Sequence, residues 1–240
     1  VNALGTLNVL EAARAAAKPP IVVFTSTNKV YGGLEGVRIV RRGRRYALAG
    51  LPRGVAEDAP LDFHSPYGCS KGAADQYVRD YHRIYGLRTV VLRQSCMYGE
   101  WQFGNEDQGW VAHFIMSALR RRPLTIYGDG RQVRDVLHVD DFVDAVFDAA
   151  RAWRRTAGRI YNLGGGPGQT LSLRELIGWI EGRLGRRVAR RFSGWRPGDQ
   201  KVYVSDIRRA RREFGWRPRV PVAEGLERLL RWARSGGAES

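Results

Sequence analysis

The sequence predicts an α/β fold, a parallel sheet covered by helices, and three observations carry that prediction. Short unbroken apolar runs such as Val22-Val23-Phe24 and Val90-Val91-Leu92 have the length and β-branched content of buried strands. Longer stretches with a helical period, residues 3–17 and 66–85, separate them. Strand and helix patterns then alternate to the end of the chain, the arrangement that builds parallel sheets.

Element by element, residues 3–17 form an amphipathic helix with Leu4, Leu7, Val9, Leu10 and Ala13 among its apolar positions. Residues 20–25 are a buried strand leading into the hydroxyls Thr25, Ser26 and Thr27. Residues 33–60 are the least regular segment, rich in Gly and Arg, and are expected to be a partly ordered excursion over the site. Ser65 and Pro66 start a helix over 66–85, a capping hydroxyl followed by a residue suited to the first turn, and Gly86 ends it. Residues 88–94 are the next strand. Glu100 to Gly109 is a polar loop, and 109–121 a helix with Trp110, Val111, Phe114, Ile115 and Leu119 inward. Leu124–Tyr127 is a short strand, Gly128-Asp129-Gly130 a tight turn, and Arg131–His138 an extended run. Val139-Asp140-Asp141 caps a helix that reaches Trp153. Residues 160–166 are a strand running into a glycine loop. Ser172 and Glu175 have the spacing of a capping box for a helix over 171–184. Residues 187–192 form a strand, 195–200 a loop, and 206–213 and 222–234 two short helices.

Composition narrows the function classes. An apolar content of 43% is ample for a core, and no apolar run approaches the ~20 residues of a membrane span. Two cysteines, Cys69 and Cys96, offer at most one disulfide and no metal framework, which makes the cytoplasm the default compartment. The formal charge of +16 would suit nucleic acid, and residues 151–240 alone carry 21 Lys+Arg against 8 Asp+Glu. Yet Lys18, Lys29, Lys71 and Lys201 are the only lysines, and no stacking aromatics alternate with the arginines. The excess is read as a coding bias that can still attract an anionic diphosphate, with neither nucleic acid nor membrane as partner.

The chemistry concentrates between Phe63 and Tyr77. Tyr67 and Lys71, four apart on the predicted helix, share one face. A phenol ordinarily ionises near pH 10, and a fixed cation one turn away lowers that value, which makes Tyr67 a candidate general base for a hydroxyl proton. On its own, Tyr-x-x-x-Lys is equally a helical Tyr beside a solvated Lys. The neighbourhood decides. One strand runs through Thr25-Ser26-Thr27 into Asn28-Lys29-Val30-Tyr31-Gly32, and another ends in Gln94-Ser95-Cys96-Met97-Tyr98-Gly99.

A strand-end hydroxyl, a Tyr-x-x-x-Lys helix and a strand ending in x-Tyr-Gly together resemble the extended short-chain dehydrogenase/reductase family of nucleotide-sugar enzymes. The words Thr25–Gly32, Leu61–Tyr77, Asp107–Val111 and Gln132–His138 extend the resemblance over essentially the whole chain, toward members that act on CDP-linked sugars. It implies a Rossmann-like parallel sheet with a smaller C-terminal substrate-binding lobe, and NAD as cofactor. Thr27, Tyr67 and Lys71 match the catalytic triad: Tyr67 takes the sugar hydroxyl proton, Lys71 lowers its pKa and holds the nicotinamide ribose, and Thr27 orients the hydroxyl. Thr25, Ser26, Ser95 and Met97 join Tyr67 and Lys71 around the cofactor. Asn28, Lys29, Cys96, Gln102, Phe103, Arg134, Asn162 and Arg196 are expected around the substrate, with Arg134, Asn162 and Arg196 at the nucleotide diphosphate and its base or ribose.

Several details refine the expectation. Asn28 and Lys29 stand where the related 4,6-dehydratases place Asp and Glu, and neither can serve in the acid/base pair that water elimination needs. Cys96 is open to two readings, an acid/base thiol or a wall of the pocket. His64 and His138 are read as structural. Glu100-Trp101 departs from the family's usual Gly or Pro followed by Arg, removing one phosphate or sugar contact. Asn2–Ala12 matches a helix that follows several βα units in the family. The Gly-x-x-Gly-x-x-Gly loop, the acidic residue for the adenosine ribose and the first strands, on the order of 90 residues, are therefore expected upstream of Val1. Residues 1–100 are then a partial NAD-binding domain with the triad, and 101–240 mainly a nucleotide-sugar lobe with segments returning to the first part.

The implied function is NAD-dependent epimerisation of a CDP-linked 3,6-dideoxyhexose at carbon 2 through a 2-keto intermediate. It would serve polysaccharide-precursor synthesis, as a homodimer or homotetramer. A UDP- or NDP-sugar 4-epimerase or other NDP-sugar oxidoreductase is one alternative. A catalytically incompetent fragment that binds a sugar nucleotide without NAD is the other.

Overall fold

The computed structural model describes residues 1–237. Its elements in chain order are α1 (Asn2–Ala15), β1 (Val22–Thr27), a 3-10 turn (Asn28–Tyr31), β2 (Ile39–Arg42), β3 (Arg45–Leu48), α2 (Ser65–Tyr85), β4 (Thr89–Gln94) and β5 (Cys96–Tyr98). There follow α3 (Trp110–Leu119), β6 (Leu124–Tyr127), β7 (Val133–His138), α4 (Val139–Arg151), the single turn α5 (Trp153–Thr156), β8 (Arg159–Leu163) and β9 (Thr170–Ser172). The chain closes with α6 (Leu173–Leu184), β10 (Arg190–Ser193), β11 (Val202–Tyr203), α7 (Arg208–Phe214), α8 (Val222–Trp232) and a last turn over Ala233–Gly237.

β1, β4 and β8 pair in that order, all parallel. Thr27 lies opposite Gln94, and Gln94 opposite Leu163, so three carboxyl ends stand side by side where α/β sheets bind ligands. Side chains alternate between the two faces of the buried central strand. Val91, with Ile160, packs against Leu10 of α1 and Val78 and Tyr81 of α2. Val90 and Leu92, with Tyr161, pack against Ala145 and Ala149 of α4 and Phe214 of α7. Helices therefore cover both faces, and the fold is Rossmann-like. Full burial of a Leu or Val here stabilises by about 1.5–3 kcal/mol.

β7 gathers β5, β9 and β11. β11 and β5 flank it in parallel and β9 pairs antiparallel, while β10 runs parallel to β6. α3, α6 and α8 bury a second core against them, with Phe114, Ile115, Leu176, Ile180 and Leu229 inside. Residues 159–163 leave this part of the chain to complete the first sheet. No described helix is long and apolar enough to cross a membrane.

Local signals act as their chemistry dictates at two helix ends. Gly86 closes α2 at φ +67, and the Ser172–Glu175 capping box is complete, with bonds of 3.2 and 2.8 Å. Three expectations change. Ser65 accepts from the Gly68 N–H at 3.1 Å, as a capping hydroxyl should, but enters the helix itself at φ +65, a left-handed conformation that costs a non-glycine residue energy. The cap of α4 is His138, whose Nδ1 accepts from the Asp140 N–H at 3.3 Å; Asp140 and Asp141 occupy the first turn, where the helix dipole favours negative charge. Residues 33–60 contain a regular hairpin, β2 against β3, turned through Gly43 at φ +57. Distant partners secure it. Arg45 grips Glu175 through bonds of 2.9 and 2.6 Å, and the Tyr46 hydroxyl donates to Asp129 at 2.9 Å.

Candidate active site

The carboxyl ends of β1 and β4, the start of α2, β5 and the 195–200 loop border a cleft of about 420 Å³. Thr27 ends β1 at this cleft, and its Oγ1 accepts the Lys29 N–H at 3.2 Å, which starts the 3-10 turn. Tyr67 enters the cleft from the first turn of α2 and is half exposed. Lys71 stands behind the lining. Its Nζ donates to the Thr25 carbonyl at 2.9 Å and lies over the Phe24 ring, and burial pushes its pKa down.

Asp75, one more turn along the same face of α2, fixes the helix to the sheet. Arg93 of β4 binds its carboxylate with two hydrogen bonds, 2.9 and 2.8 Å, and Ser26 of β1 donates to it at 2.6 Å. The Gln76 side chain donates a fourth bond at 2.8 Å. The network runs on. Arg93 donates to the Tyr31 hydroxyl at 3.1 Å, Tyr31 donates to the Asn162 carbonyl oxygen at 2.7 Å, and the Asn162 amide donates to the Val55 carbonyl at 2.8 Å. Burial pushes Tyr31 up to about 12 and raises Glu57, whose carboxylate accepts the Asn162 N–H. Asp75 and Arg93 were not singled out from the sequence. The signal available was the series Tyr67, Lys71, Asp75 at four-residue intervals.

The same network corrects several expected positions. Ser26 and Asn162 are wholly buried, and their polar groups are spent on Asp75, Tyr31 and Val55, so they face the interior and not a cofactor or substrate. Asn28 is buried as well, and its Nδ2 donates to Gln200 at 3.4 Å. Phe103 lies outside the cleft lining, half exposed and edge-on to Trp232. Thr25 meets Lys71 through its carbonyl.

The rest of the expected set does converge. Ser95, Cys96, Met97 and Gln102 line the cleft with Thr27 and Tyr67. Ser95 donates its hydroxyl to the buried Asp135, and Gln102 Nε2 donates to the Met97 carbonyl at 3.2 Å. Burial pushes the Cys96 thiol up, which suits a pocket wall and not a thiolate. Arg134 donates to Asp199 Oδ1 at 2.8 Å, and the Lys29 ammonium lies 3.7 Å from that same oxygen. Burial and then Arg134 push the Lys29 pKa down, against the pull of Asp199. The Arg196 guanidinium stacks on Tyr127, 3.8 Å from the ring centroid, and pairs with the exposed Asp107 at 3.0 Å. Glu100 belongs to an internal ion network, bonded to Arg228 at 3.0 Å and to His138 at 3.1 Å. One cleft thus joins two hydroxyls suited to a sugar and three cations suited to phosphate.

Residues 1–164 match the model of the NAD dependent epimerase/dehydratase family. The chain belongs to this family. It is 43% identical over 242 residues to the CDP-paratose 2-epimerase of Salmonella typhi, covering 98% of this chain and 71% of that protein. A putative UDP-glucose 4-epimerase of Methanocaldococcus jannaschii is 32% identical over 98% of this chain and 70% of its own length. Among solved structures, the UDP-glucuronic acid 4-epimerase of Bacillus cereus, in complex with UDP-glucuronic acid and NAD, aligns with a TM-score of 0.82 at 28% identity. That match covers 98% of this chain and 67% of the other. Members of the NAD dependent epimerase/dehydratase family are NAD-dependent enzymes that act on sugar nucleotides. The cleft fits such a cofactor: the buried Gln94 Oε1, at the end of β4 and in the lining, has no hydrogen-bond partner and is placed to accept from one.

Proposed function

We propose that the protein epimerises CDP-paratose to CDP-tyvelose at carbon 2 through a 2-keto intermediate. The observation that carries this is the 43% identity to a CDP-paratose 2-epimerase, against 29–35% for the 4-epimerases and 4,6-dehydratases it also resembles. The chemistry that NAD supplies when bound is the acceptance and return of a hydride, and Tyr67, Lys71 and Gln94 are the residues to hold its nicotinamide half. Tyr67, as general base, takes the proton of the carbon-2 hydroxyl while the C2–H bond breaks, and gives it back once the keto sugar has turned its other face. Thr27 orients that hydroxyl, and Lys71, one turn along α2 from Tyr67, supplies a cation behind the cleft wall. Arg134 and Arg196 hold the diphosphate. Asn28, turned into the core, and Lys29, a cation, leave no acid/base pair for eliminating water, which favours epimerase over dehydratase.

Residues 1–100 supply the cofactor side and the base, and residues 101–240 most of the sugar-nucleotide side. The same reading assigns the protein to polysaccharide-precursor synthesis in the cytoplasm, as a homodimer or homotetramer that light scattering would resolve. The deciding experiment uses protein expressed from its native gene, NAD and CDP-paratose deuterated at carbon 2, followed by NMR. CDP-tyvelose should appear with the deuterium retained, because the same hydride returns. Turnover of UDP-glucose or UDP-glucuronic acid with CDP-paratose untouched would overturn the assignment.

A further inference from the structure

We infer that Lys29 selects the carbon that reacts: its ammonium holds the sugar-bound phosphate beside Thr27 and Tyr67, so that carbon 2 and not carbon 4 meets the base. The inference rests on the carbon-2 reading above and adds to it a residue that decides position.

Lys29 is two residues past Thr27, on the turn that the Thr27 hydroxyl itself caps at 3.2 Å. Its place relative to the hydroxyl end of the cleft is therefore set by backbone, not by a long flexible loop. Three groups act on its ammonium: Cys96 on β5, Arg134 on β7 and Asp199 on the 195–200 loop. Asp199 is the only anion among them, and the oxygen it turns to Lys29 at 3.7 Å already accepts from Arg134 at 2.8 Å. Two cations thus share one carboxylate oxygen, and the pKa of the half-buried Cys96 thiol, pushed up, makes it no second anion for them. Of the cleft's other carboxylates, Asp107 pairs with Arg196 and Glu106 accepts from Tyr127, so Lys29 has only its share of Asp199. A partly desolvated ammonium next to a second cation is unfavourable until an anion arrives, which is what a phosphate subsite needs.

The substrate's connectivity supplies the rest. In a glycosyl diphosphate, carbon 2 is three bonds from phosphorus (C2–C1, C1–O, O–P), whereas carbon 4 lies across the ring. With carbon 2 at Tyr67, the first phosphate falls beside Thr27, within reach of a cation on the next turn. With carbon 4 there, the same phosphate stands a ring's width away. A cation at position 29 stabilises only the first pose. It also gives the keto sugar a fixed pivot, since the ring turns about its link to a phosphate that stays in place. Arg196, stacked on Tyr127, is left for the other phosphate.

The test compares CMP and CDP, which differ by the phosphate that would carry the sugar. Titration calorimetry is run on the native-gene protein and on Lys29→Gln, with UMP and UDP in parallel. Lys29→Gln should lose about tenfold in CDP affinity while CMP changes less than about twofold, and Lys29→Arg should recover most of the loss. Lys29→Met, which keeps the apolar stem, gives the same comparison if the Gln variant does not fold. An unchanged CDP-to-CMP affinity ratio overturns the inference. Binding of uridine but not cytidine nucleotides sinks the CDP reading alone, and the UDP-to-UMP ratio then judges Lys29. Conversion of a bound sugar nucleotide at carbon 4 by the unaltered protein also overturns the inference, however tightly Lys29 holds phosphate.

Discussion

Two arginine–carboxylate pairs of the same length behave as opposites. Arg93–Asp75 and Arg134–Asp199 both meet at 2.8 Å. The first is sealed, with side chains 1% and 0% exposed and four hydrogen bonds on the Asp75 carboxylate. The second opens onto the cleft, and its Asp199 oxygen is shared with Lys29. What separates them is not the strength of the contact but what is left unpaired. A sealed pair must satisfy every donor, because an unmatched buried charge costs several kcal/mol. An open pair can keep spare donors because water tolerates them until a ligand replaces it.

The sharpest way to break the comparison is Asp75→Ala. It strands the Arg93 charge in the interior and should cost about 3–5 kcal/mol, seen as a large drop in Tm or failure to fold. A melting point close to the parent would show that the sealed centre is not one. Tyr67→Phe, two turns away on the same helix, should do the reverse. Epimerase turnover should fall by about 10²–10⁴-fold with the melt unchanged, since Tyr67 is half exposed. A lowered Tm with turnover intact would move Tyr67 to the structural side.

Alkaline unfolding probes the sealed centre without altering Asp75. The Tyr31 phenol is pushed by burial to about 12, above its ordinary value near 10. The unfolded chain therefore loses this proton first. Stability from this group is complete below pH 10 and falls by about 2–3 kcal/mol as pH rises from 10 to 12. Denaturant titrations across that range should show a fall, to which Tyr98, Tyr161 and Tyr203, also pushed up by burial, contribute, and Tyr31→Phe should reduce it by about 2–3 kcal/mol. The smallest effect belongs to the open pair. Asp199→Asn should change stability by only about 1 kcal/mol, because cleft water can solvate the freed donors; a loss as large as that of Asp75→Ala would erase the distinction.

Much of this was legible from short words in the chain, and the failures share a cause. Ser172 and Glu175 are three residues apart and satisfy one another, so nothing distant is needed to see the cap. Tyr67, Thr27, Cys96 and Arg134 were placed by motif and do line one cleft. Ser26, Asn28 and Asn162 were placed by the same motifs and face inward. Ser26 and Asn162 lie on strands, where one step along the chain reverses the side a residue faces and a motif does not carry the register, and Asn28 opens the 3-10 turn that carries it to Gln200. The hairpin at 39–48 was unreadable because its half-exposed strands have little apolar alternation, and Glu175 and Asp129, far along the chain, hold it. Asp75 hid for a related reason: its partner, Arg93, follows 18 residues later on another element.

The order of strands in the first sheet also sets a timetable for synthesis. β4 sits between β1 and β8, so one of its edges waits for residues that have not yet been made when Gln94 leaves the ribosome. Some 65 residues separate Gln94 from Arg159. At translation speeds of about 5–20 residues per second, that edge stays open for roughly 3–13 s. During this interval Val90 and Leu92 have no β8 beside them, and Tyr31 lacks its Asn162 acceptor. The nascent chain thus presents an unpaired apolar strand edge for seconds, long enough for a chaperone or a neighbouring nascent chain to find it. Slowing translation between codons 95 and 158 should lengthen that exposure and raise the aggregated fraction, with no change to the finished protein.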